Sequence, residues 1–315
     1  MFQSAISVLN DRGLGVLVSA GLNLVRASLH KKVLGKTHLE KVIHDYRMLL
    51  DLNDRGISRG LILFGTREVD HKILLEKILM PGMRVFDIGA NIGYYALMEL
   101  GLIGKEGEII CIEPSPANVA LLQRNLALNG YLGIPVIEGA ISDQQGTRDF
   151  YMATQSNLGT FHNTGTGAVH LSGEVINVAM QTVPDLAKQF GAPDLIRMDV
   201  EGHEVEVFNG MTPAIEAGEI APIIIFETHL TRYGEDHDME AALKRLFKAG
   251  YHVRHAASSS EHGTSVVKSY GYDGGQSVVT DGVTRVLFEN IADDHAVEMI
   301  CHKGGLRTVV LQKKG

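Results

Sequence analysis

Acidic side chains recur where short apolar runs end, and each is followed by a glycine or proline turn. The first case is Val85-Phe86-Asp87-Ile88-Gly89-Ala90-Asn91-Ile92-Gly93. Glycines there let the backbone turn tightly and approach a ligand closely. Asp87 could accept hydrogen bonds from an ammonium group. The second case is Ile109-Ile110-Cys111-Ile112-Glu113-Pro114, with Glu113 lying 20 residues beyond Gly93. A carboxylate at that point can hold the two hydroxyls of a ribose. The third is Asp194–Glu204 (DLIRMDVEGHE), which delivers Asp199 and Glu201 at the end of an apolar run and turns at Gly202. The turn and Glu113 together point to an adenosine-containing ligand. A dinucleotide is disfavoured, because Asn91 stands where a second glycine would admit a pyrophosphate.

Such tips need strands to carry them. Apolar runs at Arg84–Ile88, Glu108–Ile112, Pro135–Ile137, Asp194–Met198 and Pro222–Phe226 read as strands, with two more at Tyr251–His255 and Arg307–Gln312. Helical stretches alternate with them at Ile92–Leu102, Ser115–Asn129, around Glu204–Asn209, and at Asp236–Ala249. Ser115 suits an N-cap, and Gly130 and Gly250 follow helix ends. This alternation predicts an α/β fold, a doubly wound and mostly parallel sheet that gathers ligands at the carboxyl ends of its strands. Three segments fall outside it. Residues 1–80 read as a mostly helical N-terminal extension. Residues 142–180 are rich in Gly, Thr and Asn, including Asn157-Leu158-Gly159 and Thr164-Gly165-Thr166-Gly167. Residues 256–304 interrupt the last strand pair, contain a helix near Asp293–Cys301, and read as a substrate-specificity insertion in the domain formed by residues 81–315.

The bulk composition narrows the function. Hydrophobic residues make up 45% of the 315, enough for a sizeable core. A net charge of −8, no Trp and only 6% aromatic residues argue against a nucleic-acid surface. Cys111 and Cys301 form no C-x-x-C pair, so neither a disulfide framework nor a zinc site is expected, and a reducing cytoplasm fits. The apolar run Leu14–Val25 is too short to span a bilayer; it reads as a helix packed on the domain or on a second copy in a homo-oligomer, rather than as a membrane-surface helix.

The sequence resembles the FkbM-type methyltransferases. The resemblance rests on Asp87–Tyr95 (DIGANIGYY), Glu113-Pro114-Ser115-Pro116 and Ile196–Glu204 (IRMDVEGHE), and it extends to Tyr46–Glu68 and Val175–Leu186. It implies a Rossmann-like class I methyltransferase fold with a seven-stranded sheet. It also implies S-adenosylmethionine as methyl donor and O-methylation of a sugar or secondary metabolite. Carried over position by position, Asp87, Gly89, Asn91 and Gly93 would line the methionine end of the cofactor. Glu113 would bind ribose with Pro114 beside it, and Glu138 to Ile141, Ala140 among them, would flank adenine. Asp199 would lie near the sulfonium, and Glu68 would close the methionine pocket.

Methyl transfer to a hydroxyl benefits from close alignment and from a general base. Candidate groups at the strand ends are Asp199, Glu201, His203, Glu227 and His229. Glu201 or His229 is expected to face the acceptor, with Asp199 left to the cofactor. Asp199, Glu227 and His229 are of metal-binding type, but no tight ligand spacing supports a site, so no metal is expected. His203 reads as a first-turn helix residue. His162 and His170 sit in a segment that could meet the acceptor. The competing readings are a nicotinamide-dependent oxidoreductase and a non-catalytic adenosine-binding module. Asn91 and Asp87 weigh against the former, and the acids kept at three strand ends weigh against the latter.

Overall fold

The computed structural model describes residues 13–162, 170–235 and 237–314. The expected Thr164–Gly167 loop and Asp236 lie outside the described residues. The chain begins with α1 (Leu14–Lys32), the hairpin β1 (His38–Ile43) and β2 (Tyr46–Asp51), α2 (Ile57–Phe64) and α3 (Val69–Ile78). The alternating core follows: β3 (Arg84–Ile88), α4 (Tyr94–Ile103), β4 (Glu108–Glu113), α5 (Pro116–Leu128) and β5 (Val136–Glu138). Next come β6 (Ala140–Ile141), β7 (Gly146–Ala153), β8 (Leu171–Gln181), α6 (Val183–Phe190), β9 (Leu195–Met198), α7 (Glu204–Glu216) and β10 (Ile223–Glu227). The chain ends with α8 (Met239–Lys248), β11 (Tyr251–Ser258), α9 (Glu261–Ser269), β12 (Ser277–Thr280), β13 (Val283–Ile291), α10 (Asp293–Val297) and β14 (Leu306–Lys313).

The central sheet has the order β12-β13-β11-β14-β10-β9-β3-β4-β5. Strands β10, β9, β3, β4 and β5 pair in parallel, while β14 and β13 run against their neighbours. The seven strands expected from the sequence are all present, and the 256–304 insertion adds β12 and β13 at one edge. Alternation along each strand feeds two cores, one on each face. Phe86, Ile88, Ile110 and Ile112 enter one; Val85, Ile109 and Cys111 enter the other. Burying each such side chain contributes about 1.5–3 kcal/mol.

Two segments differ from their sequence reading. The N-terminal extension is helical over just more than half of its described residues, as expected, but it also carries a hairpin absent from the sequence reading. Leu39 and Ile43 alternate with exposed residues, as do Met48 and Leu50, and this period of two makes β1 and β2 a hairpin over α5. Asn125 of α5 and Asn129, its C-cap, accept from the backbone N–H groups of Leu49 and Arg47 at 2.7 and 2.9 Å. Within 142–180, β7 and β8 form an antiparallel pair, joined by β6, around Phe150, Phe161, Val178 and Met180. Helix α1 buries Ala20 and Ala27 and leaves Leu14, Leu22, Val25 and Leu29 exposed. No described helix is long and apolar enough to cross a membrane.

The insertion also braces the N-terminal extension. Asp281, at the β12–β13 turn, accepts from the backbone N–H of Glu68 at 2.9 Å. Arg285 of β13 pairs with buried Asp70 of α3 at 2.8 Å. The insertion therefore fixes where Glu68 stands.

Candidate active site

A cleft opens at the carboxyl ends of β3, β4, β9 and β10, where the topology predicts one. Gly89, Asn91, Glu113, Pro114, Ala140 and Asp199 all border it. Gly89 has φ +80°, and a Cβ there would meet the Asp199 carbonyl oxygen at 2.2 Å, so only glycine lets the two strand tips approach. Asn91 has φ +50°, and its backbone N–H donates to Glu113 at 2.9 Å. Ser115 N–H and Asn118 Nδ2 also donate to Glu113, both at 3.0 Å. Burial pushes the Glu113 carboxyl up to about 7 against these donors. The loop after β7 closes over this corner: the Ser156 carbonyl accepts from Asn91 and Asn118, and Asp54 accepts from the Ser156 N–H and hydroxyl.

Two expected cofactor contacts are corrected. Asp87 does not reach the cleft. The strand alternation directs it to the face shared with Val85, and the β3–β9 register sets it beside Arg197. Its carboxylate is fully buried and pairs with Arg197 Nη1 at 3.2 Å. Gly93 does not border the cleft either. It is the left-handed cap of α4, where a Cβ would strike Leu122 at 2.7 Å. Of the segment expected to flank adenine, Gly139, Ala140 and Ile141 line the cleft, whereas Glu138 turns to solvent.

The opposite wall is an acid cluster. The turn after β9 holds Asp199 and Glu201, the latter with φ +51°, and β10 ends in Glu227. His229 Nε2 lies 3.9 Å from Asp199, 3.6 Å from Glu201 and 3.8 Å from Glu227. Its Nδ1 sits 2.8 Å from Glu204 Oε1. Burial disfavours the imidazolium, but Glu204, Glu201 and Glu227 outweigh it and raise the His229 pKa well above the usual range. Burial lifts Glu201 to about 7, with His229 pulling it down, and lifts Glu227 to about 8, with Arg307 opposing. His229 thus stands behind Glu201 and does not border the cleft, so of the two groups expected to face the acceptor only Glu201 does. Asp199, Glu201 and His229 bring ligand atoms within 4.8 Å of one another.

Glu68 closes the wall beside Arg307. Tyr95 OH donates to it, and Arg67 and Arg307 approach to 3.3 and 3.1 Å. Burial alone would raise its pKa; the two guanidinium groups hold it well below the usual carboxylate range.

Residues 87–253, more than half of the chain, match the profile of the Methyltransferase FkbM domain. The chain belongs to the FkbM methyltransferase family. Hexuronic acid methyltransferase AglP of Haloferax volcanii is 28% identical over 161 residues, covering 50% of this chain and 60% of that protein. Protein-L-isoaspartate O-methyltransferase 1 of Archaeoglobus fulgidus is 36% identical over 61 residues, covering 19% of this chain and 28% of that protein. The chain therefore spans less than two thirds of either relative. A crystal structure of methyltransferase FkbM from Methylobacillus flagellatus KT aligns at 14% identity and a TM-score of 0.37, over 87% of this chain and 61% of that one. The nicotinamide reading is overturned by the family match. S-adenosylmethionine is the cofactor of this methyltransferase family.

The cleft of this FkbM methyltransferase suits that cofactor on one structural count in particular. Asp199 Oδ1 is buried at the cleft without a hydrogen-bond partner, an orphan acceptor of the kind an ammonium group would satisfy. Gly89→Ala tests the close approach of the two tips. It is expected to destabilise the protein by about 1–3 kcal/mol, from strain at positive φ and overpacking, and to weaken S-adenosylhomocysteine binding at least about tenfold. Denaturant unfolding and calorimetric titration read the two effects.

Sequence reasoning missed the arginines. Arg197 sits inside the apolar run Leu195–Met198, and an arginine in a fully buried strand was itself the available signal. It stacks over Tyr95 with its guanidinium carbon 4.1 Å from the ring centre, and donates to the Gly89 carbonyl at 3.0 Å. Arg307 pairs with Glu227 at 2.6 Å, and no local pattern at β14 marks it.

Proposed function

We propose that this protein methylates a hydroxyl of an anionic small molecule, an acidic sugar being the class that fits best. The observation that carries the acceptor class is a second groove beside the cofactor cleft. It is lined by Arg55, Arg59, Arg67, Arg285 and Arg307, with Glu68 and Asp281 as its only acids among the lining residues. The groove and the cleft share Arg67, Glu68, Gln155, Asn157 and Arg307 as a common wall. Burial lowers the Arg59 pKa, and neighbouring Arg55 lowers it further. In a chain of net charge −8, such a groove favours an anion. The relative acting on hexuronic acid supports the same class.

Bound S-adenosylmethionine would supply an electrophilic methyl group. Asn91, Glu113 and Ala140 would hold its nucleoside, and Asp199 its ammonium group. Glu201 is the proposed general base: it borders the cleft and its pKa sits near the operating pH, where proton uptake from an acceptor hydroxyl is most effective. His229 is a positioning residue that acts through Glu201. The β12–β13 insertion contributes specificity through Asp281 and Arg285 in the groove wall.

Arg55→Gln with Arg59→Gln is expected to raise the acceptor KM by about 10- to 100-fold, the cost of losing charge-assisted contacts, with kcat little changed. A panel of acidic and neutral sugars, assayed for radiolabelled methyl transfer, tests the proposal. Equal turnover of a neutral acceptor and its uronic counterpart would refute the anionic class.

A further inference from the structure

Three histidines to which the proposed methyl transfer gives no role, His203 among them bordering the cleft, converge on one carboxylate, that of Glu206 in the first turn of α7. His162 comes from the loop after β7, His203 from the N-cap of α7, and His237 from the loop before α8. One nitrogen of each ring is already fixed by an oxygen. His162 Nε2 lies 3.1 Å from the Gly202 carbonyl, His203 Nε2 3.1 Å from Ser142 Oγ, and His237 Nδ1 2.8 Å from the Arg232 carbonyl. A carbonyl only accepts, so the His162 and His237 nitrogens facing carbonyls carry hydrogen. In neutral rings, the remaining nitrogens then present lone pairs.

Two of those lone pairs meet another acceptor. His237 Nε2 lies 2.7 Å from Glu206 Oε2, and His203 Nδ1 lies 3.4 Å from the same atom. His203 is 1% exposed, and its Nδ1 has no hydrogen-bond partner. A proton can bridge one ring to Glu206, which leaves the buried His203 Nδ1 without a donor or acceptor partner. One ligand atom from each of His162, His203 and Glu206 lies within 4.8 Å of the others.

We propose that His162, His203, His237 and Glu206 form a binding site for a divalent transition metal of the zinc class. The outer hydrogen bond on each ring is the arrangement that orients metal-bound imidazoles. Tetrahedral bonds of about 2.0–2.1 Å set ligand atoms about 3.3 Å apart, so the atoms of His162, His203 and Glu206, now within 4.8 Å of one another, must close around the ion, and His237 Nε2, already on Glu206, must turn to join them. Arg148 lies 3.5 Å from Glu206 Oε1 and leaves Oε2 to the ion. Arg148 and Arg232 both add positive charge near the rings. That charge disfavours Mg²⁺ or Ca²⁺, which bind oxygen ligands by charge, and leaves a borderline metal held by nitrogen lone pairs. The bound ion would clip two loops to the start of α7, next to the turn that carries Glu201.

The test uses the full chain, stripped with chelator and titrated with Co²⁺ and Zn²⁺. The expected result is one equivalent of metal, the visible bands of tetrahedral Co²⁺, and a zinc-dependent rise in Tm. H162Q with E206Q should weaken binding by more than about 100-fold, beyond what an outer partner costs, whereas H229Q should retain it. X-ray absorption on the zinc-loaded wild type, which needs no variant to fold, should count three imidazoles. Absence of stoichiometric binding, or a single imidazole, overturns the proposal. So does binding lost in H229Q and kept in H162Q/E206Q, which would put the ion on Asp199, Glu201 and His229.

Discussion

Glu201→Gln is expected to lower kcat by about 10²–10⁴-fold while leaving S-adenosylhomocysteine affinity nearly unchanged. The glutamine keeps the shape of the turn but cannot take up a proton. The active form of Glu201 is the carboxylate, and burial raises its pKa to about 7. The wild-type rate should therefore climb as pH rises through about 7, and the variant should lose that limb. His229→Gln gives the complementary result. The imidazolium 3.6 Å away stabilises the Glu201 carboxylate, so removing it should move the limb to higher pH. Activity lost near pH 7 should then return in more alkaline buffer. A pH–rate profile of kcat for the three proteins decides the matter. An unaltered limb in Glu201→Gln would remove that residue from the chemistry.

The largest stability effect is expected from Arg197→Met, at about 3–5 kcal/mol of unfolding free energy. Domains of this size are stable by only about 5–15 kcal/mol, so the variant should be near its folding limit. Arg197 is the ion-pair partner of fully buried Asp87, and Glu99, also fully buried, lies in the same electrostatic neighbourhood. Without the guanidinium, Asp87 is a buried charge with no counterion and must take a proton to remain inside. Burial already raises the folded pKa of Asp87 with Arg197 beside it, and loss of the guanidinium raises it further, so the variant keeps its stability at low pH and loses more of it as pH rises through the folded pKa. The gap between variant and wild type should thus be smaller at pH 5 than at pH 8 in urea unfolding. Adding Asp87→Leu to Arg197→Met should recover part of the loss, since an apolar pair leaves no orphan charge. A loss that is the same at both pH values, with no recovery in the double variant, would attribute the effect to packing over Tyr95 alone.

Period and turn chemistry along the chain were sufficient for the alternating core. The runs at Arg84–Ile88 and Glu108–Ile112 became β3 and β4 nearly to the residue, because β-branched content and flanking glycines act locally. Ser115 caps α5 as expected, since capping needs only residues one turn apart. Glu113 at a strand tip, and the glycine between two tips, are likewise visible in linear order. The β1–β2 hairpin was harder to see. Its alternating burial depends on α5, whose asparagines hold its edge from more than seventy residues away.

The charged site needed the tertiary structure. Asp87 has the sequence context of a ligand-binding acid, yet the parallel register of β3 on β9 gives it to Arg197 and buries it. Register is a property of two strands, and no single strand encodes it. The same holds for Arg307, 80 residues from its partner Glu227, and for the groove where Arg55, Arg59 and Arg67 from one stretch meet Arg285 and Arg307 from the far end of the chain. Local patterning sets which face of an element is apolar; the packing of elements sets which charges meet, because Coulomb energies depend on distance in space and on burial, not on separation in sequence.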